Sequence, residues 1–205
     1  KINVIPLGIQ SEKYHVNPLE KDHNRFALFV GRLIYYKGVI ELIEALKKSH
    51  VKLIMIGEGP LKPLIEQSAE TLLKKKQLIL LPFQKKDTLN KYFNHCEFFI
   101  LPSTHPSEAF GIVQLEAMIY AKPVISTNLP TGVPFVNQHK KTGLIVEPGN
   151  SDDLAQAMDV LWNNENLRTT YGKNAKKRCM DLFTKHQMIS KTIDCLNSMI
   201  KKKDD

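Results

Sequence analysis

Short apolar runs, separated by stretches of helical periodicity, run through the whole chain. Phe26–Gly31, Val51–Gly57, Gln77–Pro82, Phe98–Leu101, Pro123–Ser126 and Leu144–Val146 are each too short for a core helix. Their Val, Ile, Leu and Phe content is that of strands buried on both faces. Between them, apolar residues return at helical spacing: Val39, Ile40, Ile43 and Leu46 follow the first run. Further helices are predicted from near Leu61 with Pro60 at its start, over Thr88–Phe93 with Asp87 as N-cap, and from about Gly111 to Ala121. Ser151-Asp152-Asp153 reads as the N-cap of a helix to about Trp162, and two more cover Leu167–Phe183 and Lys185–Lys201. Strands alternating with helices predict an α/β, Rossmann-like parallel sheet with helices on both faces.

Composition narrows the class without changing this picture. The chain has 205 residues, 42% hydrophobic and 24% charged, which excludes a disordered polymer and allows a sizeable core. No apolar run approaches the ~20 residues that span a bilayer. Lys1–Pro6 is too short for a signal peptide, so the expectation is a soluble, cytoplasmic chain. Cys96, Cys179 and Cys195 are odd in number and widely spaced, giving neither a disulfide framework nor a paired zinc site. The expected organisation is an interdomain segment over 1–24, a Rossmann-like domain over 25–183, and a C-terminal helix with a basic tail over 184–205.

Charge adds one partner question. The formal charge is +8, and from Asn166 onward ten Lys/Arg face four Asp/Glu. That excess fits either a solvated helix face or an anionic surface. Nucleic acid is set aside, because no aromatic platform or zinc-finger spacing accompanies it. Peripheral contact with an anionic membrane is retained.

The chemistry concentrates in loops that follow strands. After the first strand, Gly31-Arg32-Leu33-Ile34-Tyr35-Tyr36-Lys37-Gly38 delivers two cations to the top of the sheet, where phosphate oxygens suit the Arg fork and the Lys point charge. As isolated residues they read equally as solvated surface cations whose loss would leave folding intact. Gly57-Glu58-Gly59 imitates a dinucleotide fingerprint, but Lys62 occupies the place of the third glycine. After the fourth strand comes Ser107-Glu108-Ala109-Phe110-Gly111-Ile112-Val113-Gln114-Leu115-Glu116-Ala117-Met118. Glu108 precedes the helix and Glu116 lies within it on the face of Ile112. Gly111 lets a ligand approach the backbone, and the free N–H groups of the first turn favour an anion. On spacing alone, the favoured reading of the two carboxylates is a first-turn acid and a solvent-face acid.

The segment 107–118, followed by Ala121-Lys122-Pro123-Val124-Ile125, resembles the E-x7-E signature of retaining glycosyltransferases of the family 4 type. Gly31–Gly38 resembles that family's G-R-x(4)-K-G loop, and Pro6-Leu7-Gly8-Ile9 its interdomain crossover. The resemblance implies the donor-binding, C-terminal half of a two-domain B-type enzyme. Such an enzyme transfers a sugar from a UDP- or GDP-sugar to a glycan or lipid-linked acceptor, in polysaccharide synthesis at the inner face of the cell membrane. It further implies that Arg32, Lys37 and Glu108 are catalytic. Donor binding would fall to Gly31, Arg32, Lys37, Phe83, Glu108, Phe110, Gly111, Ile112 and Glu116, with Phe83 beside the base. No cofactor and no metal are expected, since no Asp-x-Asp occurs. Where the family often has Gly-Gly-x-Pro-Glu, this chain has Thr131 and Phe135 at two of the places, which weakens any sugar assignment there. Two rivals stand beside the transferase: a sugar-nucleotide epimerase of the same fold, and a non-catalytic nucleotide-sugar-binding module.

Overall fold

The computed structural model describes residues 3–10, 14 and 25–201. Six strands, β1 (Ala27–Val30), β2 (Leu53–Ile56), β3 (Leu78–Leu81), β4 (Phe99–Leu101), β5 (Val124–Thr127) and β6 (Gly143–Val146), form one sheet in the order β3-β2-β1-β4-β5-β6. Every pairing is parallel. The helices are α1 (Val39–Lys47), α2 (Lys62–Ser68), α3 (Glu70–Lys74), α4 (Lys86–His95), α5 (Val113–Ile119), α6 (Val133–Val136), α7 (Ser151–Asn163), α8 (Glu165–Leu182) and α9 (Lys185–Lys201). This is the Rossmann-like α/β fold that the alternating pattern predicts.

Strand pleating splits the apolar residues into two cores, because successive side chains point to opposite faces. Ala27, Phe29, Leu53, Met55, Phe98, Ile100 and Ile125 pack with Leu42, Ile43 and Leu46 of α1, Ile65 of α2 and Met158 and Leu161 of α7. Leu28, Ile54, Ile56, Phe99, Leu101 and Val124 pack on the other face with Phe93 of α4, Leu115 and Met118 of α5, and Ala175 and Cys179 of α8. Both faces are therefore covered, which is why the strands read as continuous apolar runs rather than alternating ones.

Helix ends depart from expectation for identifiable reasons. α4 starts a residue before Asp87; its N-cap is Lys85 without a side-chain cap, and Asp87 sits in the first turn, where the helix dipole favours an acid. Asn150, not Ser151, caps α7: its backbone is extended and its Oδ1 accepts from the N–H groups of Asp152 and Asp153 at 3.1 and 3.0 Å. Asn164 caps α8 by accepting from Leu167 N–H, so that helix opens at Glu165. Pro60 lies in a turn, and Pro63 takes the first-turn position of α2. α5 is shorter than 111–121, because Gly111 and Ala121 have φ of 66° and 55°, outside the right-handed helix. Of the 1–24 segment, Ile9 is tied to the α8–α9 junction: its N–H donates to Phe183 O and its carbonyl accepts from Lys185 N–H, both at 2.8 Å. The polar stretch 15–24 and the tail 202–205 lie outside the described residues.

The order places β1 and β4 side by side at the middle of the sheet, with the chain running to β2 and β3 on one side and to β5 and β6 on the other. In open α/β sheets ligands bind beyond the carboxyl ends of the strands at such a switch point, and here the loops leaving β1 and β4 meet there. The two loops touch at Gly38. It has φ of 65°, and a Cβ there would collide with the Pro102 carbonyl oxygen. Gly38→Ala should cost about 2–4 kcal/mol in denaturant unfolding, the sum of a left-handed non-glycine residue and an overpacked contact. A loss below about 0.5 kcal/mol, the scale of a neutral surface change, would show that the loops part freely.

Candidate functional site

A 3₁₀ turn at Tyr35–Lys37, closed by Gly38, carries Lys37 to the loop that follows β4. There its Nζ meets Glu108 Oε2 at 2.5 Å, and Ser103 Oγ donates to the same oxygen at 2.9 Å. The Lys37 and Glu108 side chains are only 13% and 10% exposed. Thr104 N–H donates to Tyr36 O at 2.9 Å, so backbone and side chains lock the two loops together. Thr127 Oγ1 of β5 in turn donates to Ser103 O. Lys37 is thus no solvated surface cation. Arg32 fits that description better: it is exposed and makes no ion pair or side-chain hydrogen bond with any described residue. Its neighbour Gly31 donates its N–H to Ile56 O at 3.1 Å, which holds the start of the loop against β2.

α5 begins a few residues after Glu108, with Ile112 as its N-cap. Gly111 is buried, and a Cβ there would strike Leu101 Cδ2 and Gln114 Nε2, so the glycine is required by its positive φ and by packing. The carbonyls of Gly111 and Ile112 accept from Gln114 and Leu115 N–H at 2.9 and 3.0 Å. The N–H groups of Ile112 and Val113 have no backbone acceptor among the described residues. Ile112 is 48% exposed and Phe110 is half-buried, edge-on to Phe183 at 6.0 Å.

Glu116 stands one turn into α5, as its spacing predicts, and is not simply solvated. Tyr14 OH donates to its Oε1 at 3.1 Å, and Lys86 Nζ of α4 lies 3.3 Å from the same oxygen. Burial, and then the charge of Glu116, pushes the Tyr14 hydroxyl well above the usual phenol range, so it stays a donor at any physiological pH. Phe83, after β3, is 78% exposed and belongs to no core. His105 Nδ1 lies 2.9 Å from Ser107 Oγ and accepts from Ser107 N–H within its own loop. Among the described residues no group of three or more His, Cys, Asp or Glu is placed to hold a metal ion.

Lys37, Glu108, Gly111 and Ile112 therefore gather at the switch point, with Glu116 on the α5 face beside α4. Arg32 and Phe83 stand exposed on their loops, and Phe110 leans towards the α8 end. Ser103, Tyr14 and Lys86 escape sequence reasoning. Ser103 lies between β4 and the motif of 107–118 without a spacing rule, and Tyr14 is one aromatic in a polar segment that no periodicity orders.

Residues 10–178 match the family model described as glycosyl transferases group 1. The O-antigen chain mannosyltransferase C of Escherichia coli is 33% identical over 211 residues, covering 99% of this chain and 56% of the relative. The chain thus spans about half the length of that relative. Among solved structures, Anabaena HepE in complex with UDP superposes with a TM-score of 0.86 at 24% identity, over 96% of this chain and 57% of that one. The C-terminal domain of a glycosyl transferase group 1 family protein from Francisella tularensis is matched over its whole length and 87% of this chain, with a TM-score of 0.72 and 23% identity.

The ion pair generates a stability prediction. Lys37→Met should cost about 1.5–3 kcal/mol in denaturant unfolding, the range of a charge-assisted hydrogen bond, because Glu108 is left largely buried without its cation. Adding Glu108→Gln should restore part of that loss. Strictly additive losses in the double variant would show that the two side chains act independently.

Proposed function

The chain belongs to the glycosyl transferases group 1, and from that premise we propose that it is the donor-binding half of a retaining hexosyltransferase of polysaccharide synthesis. The observation that carries this reading is the meeting of Lys37, Ser103 and Glu108 with the start of α5 at the switch point of the sheet. Lys has three donors. One is committed to Glu108, and the others are available for a diphosphate lying between the β1 loop and α5. Arg32 reaches the same diphosphate from solvent, and the N–H groups of Ile112 and Val113 meet it from below. Gly31 and Gly111 keep the backbone close to it. As the glycosidic bond breaks, negative charge grows on the leaving diphosphate, and these fixed donors stabilise it without reorganisation.

Glu108, joined to Lys37, sits beside the diphosphate and accepts from hydroxyls of the transferred sugar. Glu116, one turn into α5, accepts from the ribose diol, because each carboxylate offers acceptors enough for vicinal hydroxyls. Phe83 offers an exposed ring to the base of UDP or GDP, and Phe110 supports the loop between the two carboxylates. The reading requires no metal, since protein cations and N–H groups meet the phosphates. It requires a second half for a glycan or lipid-linked acceptor, consistent with a chain of about half its relative's length.

Among the described residues no helix is long and apolar enough to cross a membrane. α9, however, exposes Ile189, Ile193, Leu196 and Ile200, a stripe at helical spacing that follows the exposed Lys185. We place the enzyme in the cytoplasm, with this stripe against the anionic inner face of the cell membrane. Co-sedimentation with anionic vesicles at low salt should show it, and the absence of pelleting would remove the membrane from the proposal.

Two experiments test the donor site. Calorimetry of the chain with UDP and GDP should give the same affinity with and without EDTA; binding lost in EDTA would mean a metal-dependent site. Glu116→Ala should weaken the plain nucleoside diphosphate and the nucleotide sugar alike, by roughly 1.5–3 kcal/mol. Glu108→Ala should spare the plain diphosphate and weaken the sugar nucleotide. Equal losses in all four combinations would overturn the division of labour. Turnover once an N-terminal half is supplied separates the transferase from a silent binding module, and formation of glycosylated acceptor with free nucleoside diphosphate, rather than of an epimerised nucleotide sugar, separates it from an epimerase.

A further inference from the structure

The Glu116 carboxylate is held from one side by groups that no motif contains. Tyr14 OH and Lys86 Nζ both approach Oε1, at 3.1 and 3.3 Å, and they approach each other at 2.9 Å. The Tyr14 ring is fixed on both sides: Lys86 Nζ lies 4.2 Å from its centroid, and Tyr120 meets it edge-on at 6.0 Å. Tyr120 is itself stacked on Phe93 of α4 at 6.4 Å, so the support runs back into the core. Oε2 of Glu116 has no hydrogen-bond partner among the described residues. One oxygen is therefore anchored and the other is presented.

We propose that Tyr14, with Lys86, is a positioning residue for Glu116: it pins Oε1 so that Oε2 is aimed at the ribose diol of the nucleoside diphosphate. This rests on the reading that Glu116 holds the ribose. A glutamate has three rotatable side-chain bonds, and fixing them in advance removes an ordering cost that binding would otherwise meet. The aromatic ring is well suited to this work, since it is rigid and itself immobilised by packing. Lys86 cannot substitute for Tyr14. Its flexible stem is half-exposed, and the phenol ring is one of the surfaces against which its ammonium rests. Tyr14 also lies on the segment preceding β1, so the donor site reaches outside the motif-bearing loops.

The test compares Tyr14→Phe with Glu116→Gln on three ligands: UDP, 2′,3′-dideoxy-UDP and inorganic diphosphate, with GDP and its dideoxy analogue as the parallel pair. Phenylalanine keeps the ring and removes only the hydroxyl. Tyr14→Phe is expected to weaken UDP or GDP by about 3–10-fold, the ordering cost of one rotamer-rich side chain, while the dideoxy ligand and diphosphate bind as before and the melting midpoint is unchanged. Glu116→Gln should show the same selectivity with a larger loss. Selective loss in Glu116→Gln but none in Tyr14→Phe would overturn the positioning role and leave the ribose reading standing. No ribose-selective loss in either variant would overturn both. A fall on all ligands together with a lower melting midpoint in Tyr14→Phe would make Tyr14 a packing residue and refute the proposal.

Discussion

The site depends on two loops being held against each other at the middle of the sheet. Gly38 lies against the Pro102 carbonyl, Thr104 N–H donates to Tyr36 O, and the ion pair of Lys37 with Glu108 closes above them. None of these contacts is local in sequence. They exist because parallel pairing sets β4 beside β1 with Leu28 opposite Phe99, which brings the two carboxyl-end loops to one height. The ion pair would be costly to bury alone. Its carboxylate is also met by Ser103, which satisfies a further lone pair of a charge only about a tenth exposed. A pair in that position holds loop geometry and still leaves lysine donors for a ligand.

Periodicity in the sequence reaches the sheet, because a strand covered on both faces must be apolar throughout and cannot be confused with a half-exposed one. Helix termini were less legible. Asn150 and Ser151 are both good caps, and what separates them is the extended backbone of Asn150, which is set by the turn from β6. Asp87 has the residue type of a cap, but the chain is already helical at Lys86. At the site, spacing alone left Glu108 and Glu116 as ordinary helix acids, and the motif resemblance singled them out with a pair of cations, Lys37 and Arg32, of the same character. The fold distinguishes them, since only Lys37 lies within reach of a carboxylate on another loop. Tyr14 was beyond any local rule, as its partners lie on α4 and α5, more than seventy residues away.

The result is a site in two grades of order. Lys37, Glu108 and Glu116 are each held by at least one side chain from another element. Arg32 and Phe83 stand in solvent on their loops. Held groups bind with little loss of freedom and are the ones whose geometry has to be right where charge develops and where a diol must be recognised. Free groups lose rotamer entropy on contact, so they add affinity for phosphate and base only as the ligand arrives. That division suits the chemistry of the proposed donor, whose reacting end and ribose would meet the preorganised residues and whose outer phosphate face and base would meet the adaptable ones. The anchoring of Glu116 through Tyr14 extends the ordered grade one step beyond the sheet, onto the segment that precedes β1. Ile9 ties that same segment to the start of α9, so the residue that aims the carboxylate and the strand bridge that fixes the chain's C-terminal helix are only five positions apart.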